Sequence, residues 1–467
     1  MTWLDAAVDY LPRWLEHQMR IAEQPGCAIA VAHKGKLVFE AAFGHANLST
    51  ATPLTPRHRF RVASHSKTFT AAALMRLREQ RKLQLDDAVG RHVGGLRADV
   101  GALTLAQLAS HSAGLVRDGT DARQWSLQRA FLDHKALRED LAQPPTLDAN
   151  TRFKYSNHGY GLLGLAIEQI TDEPFAAWVS REIVAAAGLA ETTPDVHTLP
   201  AQFNKLAAGH SAKQPLGQRV AIDVGMSTHA LAAATGFVST AADLARFYAS
   251  LAPDARSSVL SVASRRELVR RQWRSEHDST GRWYGLGTIG GTAGAWDHVG
   301  HSGGFPGVIT RTACVAKHQL AVSVLTNAAD GLSHQWLEGA LYVMQAFEKH
   351  GAPSRRTARW QGRFWNLWGA FDLLPMGGSR VLLANAGLVN PVQDASEIEV
   401  TTTDRGHVVL GGGFANHGEP VRIERDARGR IRRLWHGGTP LLREAEAVKA
   451  LAAATLSRGV KAAAHKR

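Results

Sequence analysis

The chain has 467 residues, 45% hydrophobic and 20% charged, with a formal net charge of +13. That composition excludes a disordered or fibrous chain, and at roughly 100–200 residues per domain the length calls for two or three domains. The basic residues are scattered, densest at 422–433 and 458–467, so the charge reads as solvated surface and no nucleic-acid partner is expected.

Trp3, Leu4, Ala7, Val8 and Leu11 recur at helical spacing and predict an amphipathic helix, which Pro12 kinks or restarts. This segment has no basic n-region, no uninterrupted apolar stretch and no small-residue cleavage site, so it is not a signal peptide. With no run of about 20 apolar residues, no membrane span is expected. The expected location is cytoplasmic, or periplasmic if a leader has been removed.

"CAIAVAHKGKLVFEAAFGHAN" (27–47) reads as a hairpin turning at His33-Lys34-Gly35-Lys36. Phe69, Ala72, Ala73 and Leu77 place a helix over 64–82. Residues from about 85 to 250 are mostly helical, with loops at "HSAGL" and "AQPPTLDAN". Within them, 159–188 form two helices broken at Asp172-Glu173-Pro174, and "STAADLARFYASL" is a helix capped by Ser239 or Thr240. Strands return near 283 and as a second hairpin over 311–327 joined at Lys317-His318, before a helix over 334–349.

Strands at both ends of residues 1–350 predict an α+β fold: one antiparallel sheet flanked by helices, with an inserted helical subdomain at about 85–250. Residues 349–357 read as a linker. Short strands over 357–445 then predict a small all-β barrel or sandwich, and 446–467 a frayed basic tail. The aromatics of "WQGRFWNLWGAF" (360–371) are assigned to its core, and "LGGGF" (410–414) to a turn between strands. Cys27 and Cys314 lie in apolar strand-like runs and read as free buried thiols, a bridge between neighbouring strands being the alternative.

Gly300-His301-Ser302-Gly303-Gly304 matches the G-x-S-x-G box of a nucleophile elbow. An elbow serine needs a helix directly after it, whereas Phe305-Pro306-Gly307 and a strand-like run follow Ser302. Ser64 does enter a predicted helix, in the chain's only S-x-x-K, with Lys67 on the same helix face. A serine hydroxyl needs a base, and a desolvated lysine can serve as one. Tyr155-Ser156-Asn157, the only Y-x-N, adds a phenol for proton transfer and an amide to fix Lys67 and bind a substrate amide. His301 then supplies a group titrating near neutrality, Ser302 a hydroxyl, Gly303 clearance for substrate, and Gly304 an oxyanion N–H. No zinc, calcium or nucleotide motif is present, so neither metal nor cofactor is implied.

Taken in order, Ser64-His65-Ser66-Lys67, Tyr155-Ser156-Asn157 and His301-Ser302-Gly303 resemble the motifs of the serine β-lactamase and penicillin-binding superfamily. The likeness is to its class C and D-Ala-D-Ala carboxypeptidase branch, because class A enzymes carry Ser-Asp-Asn at the second motif. "LQLDDAV" (83–89), "LASHSAGL" (108–115), "TGFVSTAADLARF" (235–247) and "YGLGT" (284–288) support it, over about residues 15–345. The resemblance implies that Ser64 is acylated, that Lys67 and Tyr155 move protons, and that the Ser64 and Gly304 N–H groups hold the oxyanion. Water then releases the acyl group with help from Tyr155 or His301.

Lys-Thr-Gly is usual in that branch where His301-Ser302-Gly303 stands here, and His-x-Gly is similar to D-aminopeptidases and esterases, some of which also carry a C-terminal barrel. The expectation is a hydrolase of D-amino-acid peptides or amides, or of small esters, rather than an efficient β-lactamase. Its partner is a small-molecule or short-peptide substrate, and the oligomeric state is left open. The alternative is a slow-turnover penicillin-binding or sensor protein with weak β-lactamase activity.

Overall fold

The computed structural model describes residues 1–198, 205–214, 217–274, 281–412 and 416–464, without side chains for 455–464. The chain divides into two compact units: Glu23–Leu337, and Met1–Ala22 together with Glu338–Arg467.

In the latter unit, eight strands from Gly362–Asn366 to Thr439–Leu442 pair in sequence order and close into a barrel, not an open sandwich. Of the aromatics assigned to its core, Trp360 and Phe364 are fully buried, whereas Leu367 and Trp368 are exposed on a hairpin tip. The N-terminal helix, Trp3–Ile21, belongs to this unit. It runs through Pro12 unbroken, started by a capping box between Thr2 and Asp5. Tyr10 donates its hydroxyl to Asp372 at 2.9 Å, and Gln18 donates to the Ala386 carbonyl at 2.8 Å. Sequence pattern grouped this helix with residues 1–350, since nothing local announces bonds to positions more than 350 residues away. The expected frayed tail is helical over Glu444–Ala464, as its alanine content and early glutamates favour. Residues 465–467 of that tail and 413–414 of "LGGGF" lie outside the described residues. Among the described residues, no helix is long and apolar enough to cross a membrane.

The Glu23–Leu337 unit is built on an antiparallel sheet. In chain order its strands are β1 (Gly26–His33), β2 (Lys36–Asn47), β3 (Thr52–Pro53), β4 (Trp273–Arg274), β5 (Trp283–Tyr284), β6 (Ile289–Ala293), β7 (Trp296–Phe305), β8 (Val308–Val315) and β9 (Leu320–Thr326). They lie side by side as β3-β2-β1-β9-β8-β7-β6-β5-β4. The β1–β2 hairpin turns on Lys34 and Gly35, both at positive φ, as a type I′ turn requires. β1 then pairs with β9, setting Cys27 opposite Thr326 and His33 opposite Leu320. Both strands are buried almost throughout, as their unbroken apolar text demands. Cys27 and Cys314 are buried free thiols.

The helical insertion follows the expected pattern with tighter boundaries. The helix predicted over 64–82 is a 3-10 turn at Ala63–His65 followed by Ser66–Glu79. Asn157–Thr171 ends on left-handed Asp172, and Phe175–Val179 continues into a π-helical segment. Thr240 caps Ala241–Ser250. Short pairs also occur: Gly209-His210 with Ala221-Ile222 inside the region expected to be mostly helical, and Phe60-Arg61, ahead of it, with Val238-Ser239.

The last pair leads directly into Ser64 and is locked by a buried ion pair. Arg61 Nη1 donates to Asp195 Oδ1 and to the Gly236 carbonyl, both at 2.8 Å, and Nε to the Val224 carbonyl at 2.9 Å. Asp195 Oδ2 accepts from the Thr228 backbone at 2.8 Å and the Ser227 hydroxyl at 2.9 Å. Removing one partner strands the other charge in the interior. Asp195→Ala is therefore expected to lose about 3–5 kcal/mol of unfolding free energy, measured by urea denaturation. A loss below 1 kcal/mol would show that the pair does not hold this strand.

Candidate active site

Ser64 is the middle residue of the turn Ala63–His65, just ahead of the helix Ser66–Glu79. Ala63 adopts a φ of +48°, a left-handed conformation uncommon for a residue with a Cβ, and reverses the chain sharply before the serine. Lys67 sits one turn on, and its Nζ lies 3.1 Å from Ser64 Oγ. Tyr155 donates its hydroxyl to the same oxygen at 2.9 Å. Ser64, Lys67, Tyr155 and Asn157 thus come together from two segments some 90 residues apart.

Lys67 is fully buried. Its Nζ also meets Asn157 Oδ1 at 2.7 Å and the Ala234 carbonyl at 2.8 Å. Burial drives the lysine well below its ordinary value, and the Asp118 carboxylate opposes that fall. Burial also drives the Tyr155 phenol above its ordinary value, outweighing the downward pull of the Ser64 hydrogen bond and Arg117. Both shifts favour the uncharged forms, amine and phenol. In its uncharged form the amine has two hydrogens, for Asn157 and Ala234, and a lone pair for the Ser64 hydroxyl.

The Tyr155-Ser156-Asn157 segment is held from several sides. Ser156 caps the helix Asn157–Thr171 through the Gly159 N–H. Its own N–H donates to His111 Nδ1 at 3.1 Å, and the His111 ring stands 4.1 Å from the Tyr155 ring. Asn157 meets Lys67 through Oδ1, as expected, and its Nδ2 donates one hydrogen to Asp118 Oδ1 at 2.6 Å.

His301, Ser302, Gly303 and Gly304 lie on β7, and Ser302 is followed by a Pro306-Gly307 turn into β8, not by a helix. His301 departs from expectation. It is buried, with Nε2 at the Tyr284 hydroxyl (2.9 Å) and Nδ1 against the Ser302 backbone. Burial, then the nearby His65 and Lys67, hold it well below 6.5, so it is a neutral imidazole near pH 7. Gly303 also serves a different need: a Cβ there would overlap the Val62 carbonyl, so the clearance admits the protein's own turn beside Ser64. Residues flanking a two-residue turn form a hydrogen-bonded pair, and pairs then alternate. Gly304, opposite Ile309, is therefore a non-bonded pair whose N–H points away from β8. β6 ends its pairing at Gly300, so this N–H looks off the sheet edge.

Asp118, His111 and Tyr284 were not assigned roles from sequence. His111 and Tyr284 stand inside "LASHSAGL" and "YGLGT", two of the stretches that support the family resemblance. Asp118 lies in a loop with no local pattern, and its contacts with Asn157, Trp125 Nε1 (2.9 Å) and Arg117 Nε (3.1 Å) mark it.

A family model described as Beta-lactamase matches residues 11–337. The chain belongs to the beta-lactamase family. Protein flp of Staphylococcus aureus is 25% identical over 173 residues, covering 36% of this chain and 34% of that protein, so the match spans only about a third of the curated relative. Among solved structures of similar fold, an octameric penicillin-binding protein homologue from Pyrococcus abyssi superposes with a TM-score of 0.64 at 22% identity, covering 93% of this chain and 100% of that one. The D-amino acid amidase of Ochrobactrum anthropi SV3, solved with L-phenylalanine amide, gives 0.62 at 21% identity over 74% of this chain and 99% of that one.

Two outcomes follow from the electrostatics of this beta-lactamase-family site. If neutral Lys67 is the base, activity falls as pH drops through its pKa; Asp118 raises that pKa, so Asp118→Asn is expected to move the acid limb of kcat/KM to lower pH. An unmoved or raised limb would contradict the assignment. The His301 imidazole is expected to titrate well below an ordinary histidine by nitrogen NMR, because burial disfavours its charged form; a midpoint at or above 6.5 would contradict that.

Proposed function

We propose that the protein is a serine hydrolase working through an acyl-enzyme on amide or ester bonds, with short D-amino-acid amides and peptides or small esters as its substrates. The observation that carries this reading is the position of Ser64 Oγ, 2.9 Å from a neutral phenol and 3.1 Å from a buried amine.

Lys67 accepts the Ser64 proton as Oγ attacks the carbonyl carbon. The N–H groups of Ser64 and Gly304 receive the developing oxyanion. Tyr155 gives its proton to the departing nitrogen or oxygen as the bond to carbon breaks, and the Lys67 ammonium restores it. In the second half water attacks the ester carbon, its proton passes to the Tyr155–Lys67 pair, and Oγ leaves as the Ser64 hydroxyl.

The choice of substrate class rests on His301. Where many relatives of this superfamily carry a lysine, a buried neutral imidazole supplies no cation for a substrate carboxylate. That favours amides and esters over penicillin-like carboxylates, and an amidase among the proteins of similar fold supports the same direction.

Ser64→Ala is expected to lower turnover of a D-alanine p-nitroanilide or p-nitrophenyl ester by about 10³-fold or more and to abolish labelling by a fluorophosphonate. Ser302→Ala should retain labelling. Undiminished turnover in Ser64→Ala would sink the proposal. A labelled acyl group that persists for hours would indicate the slow-turnover alternative.

A further inference from the structure

We propose that a cavity beside Tyr155 and Ser302 receives the leaving group of the substrate and selects an aromatic or branched apolar one, an inference that rests on the serine-hydrolase reading above. The cavity measures about 200 Å³, and besides those two residues its walls are Phe153, Trp283, Tyr284 and Ile289, with Arg282 the charged residue that lines it among the described residues. A dry cavity of about 150 Å³ is enough to hold benzene, so this one takes a phenyl ring or a branched alkyl group.

The side of the scissile bond follows from Tyr155. Its hydroxyl sits on Ser64 Oγ, where it can protonate the departing atom, and the same residue lines the cavity. A group attached to the departing atom is therefore the part of the substrate that enters. The acyl part lies toward the oxyanion donors instead.

The walls are fixed before any ligand arrives. Trp283 faces Gly290 across the β5–β6 pair, and a Cβ at Gly290 would overlap the indole ring. That glycine lets the ring lie down over the strand. Tyr284 is pinned by its hydrogen bond to His301 at 2.9 Å and by rings on several sides: His301 edge-on at 5.8 Å, Phe153 at 5.5 Å and Tyr155 at 6.3 Å. His301 thus acts as a positioning residue for an aromatic wall. Preset apolar walls bind apolar groups without an ordering cost, and the Arg282 guanidinium disfavours a cationic leaving group.

The test is a series in which the acyl group stays constant and the departing amines have similar basicity: the methylamide, isobutylamide and benzylamide of D-alanine, with the L-series in parallel. The benzylamide is expected to exceed the methylamide in kcat/KM by at least about tenfold, the effect of apolar complementarity in a pocket. In Trp283→Ala, and in Ile289→Trp, which fills the space, that ratio should fall by about tenfold or more. A wild-type ratio within about threefold, or a ratio that survives both substitutions, overturns the pocket while Ser64-dependent turnover keeps the hydrolase reading intact. If Ser64 is labelled by fluorophosphonate but no amide turns over, protection against labelling decides: the benzylamide should protect at a lower concentration than the methylamide, and equal protection overturns the proposal. Absence of both turnover and labelling overturns the underlying reading instead.

Discussion

A lysine amine kept wholly out of water is the constraint around which the site is arranged. A buried ammonium without compensation is costly, and the interior answers by favouring the neutral form. Neutral Lys67 still needs partners for its two hydrogens, which Asn157 and the Ala234 carbonyl supply, leaving the lone pair on Ser64. When the amine takes up a proton, the Tyr155 and Tyr160 ring faces at 4.8 and 5.4 Å and the Asp118 carboxylate, linked through Asn157, are already in place to receive the charge. The environment suits an amine at rest and tolerates a transient ammonium.

That arrangement explains what could be read from the linear text. Ser64 with Lys67, and Tyr155 with Asn157, are local spacings on helix starts, and helical geometry turns a spacing into a distance. The fold was legible for a similar reason: alternating or continuous apolar runs bounded by turn residues mark strands wherever they pair. The C-terminal strands and the split sheet both followed from such runs, whereas closure into a barrel rather than a sandwich depends on the pairing of first strand with last. What spacing cannot carry is the identity of a distant partner. Asp118 reaches Asn157 across a loop, and His111 reaches Ser156 from "LASHSAGL". His301 looked like a proton carrier because its unperturbed chemistry is that of one. Its burial and its bond to Tyr284 come from the three-dimensional packing of β5 against β7's neighbour, which sequence spacing does not encode.

Two glycines, one on β7 and one between β5 and β6, illustrate the same limit from the other direction. Gly303 was expected to admit substrate, yet it admits the Val62 carbonyl, bringing β7 against the turn that bears Ser64. Gly287, at a φ of +63°, similarly lets "YGLGT" lie on the Lys67 carbonyl. A missing side chain signals close approach, but the approaching group can be the chain itself.

The pairing of β1 with β9 carries a consequence for how the molecule is made. As the chain emerges from the ribosome, Cys27 must wait for Thr326 before the middle of the sheet is complete. Until then the apolar edge of β1 is an open template for any other extended chain. Such a long-range closure is slow, because its entropic cost comes before its reward. Newly made protein therefore passes through a stage at which its solubility depends on chaperones or low local concentration, and recombinant yield should respond to both more than to the stability of the finished fold.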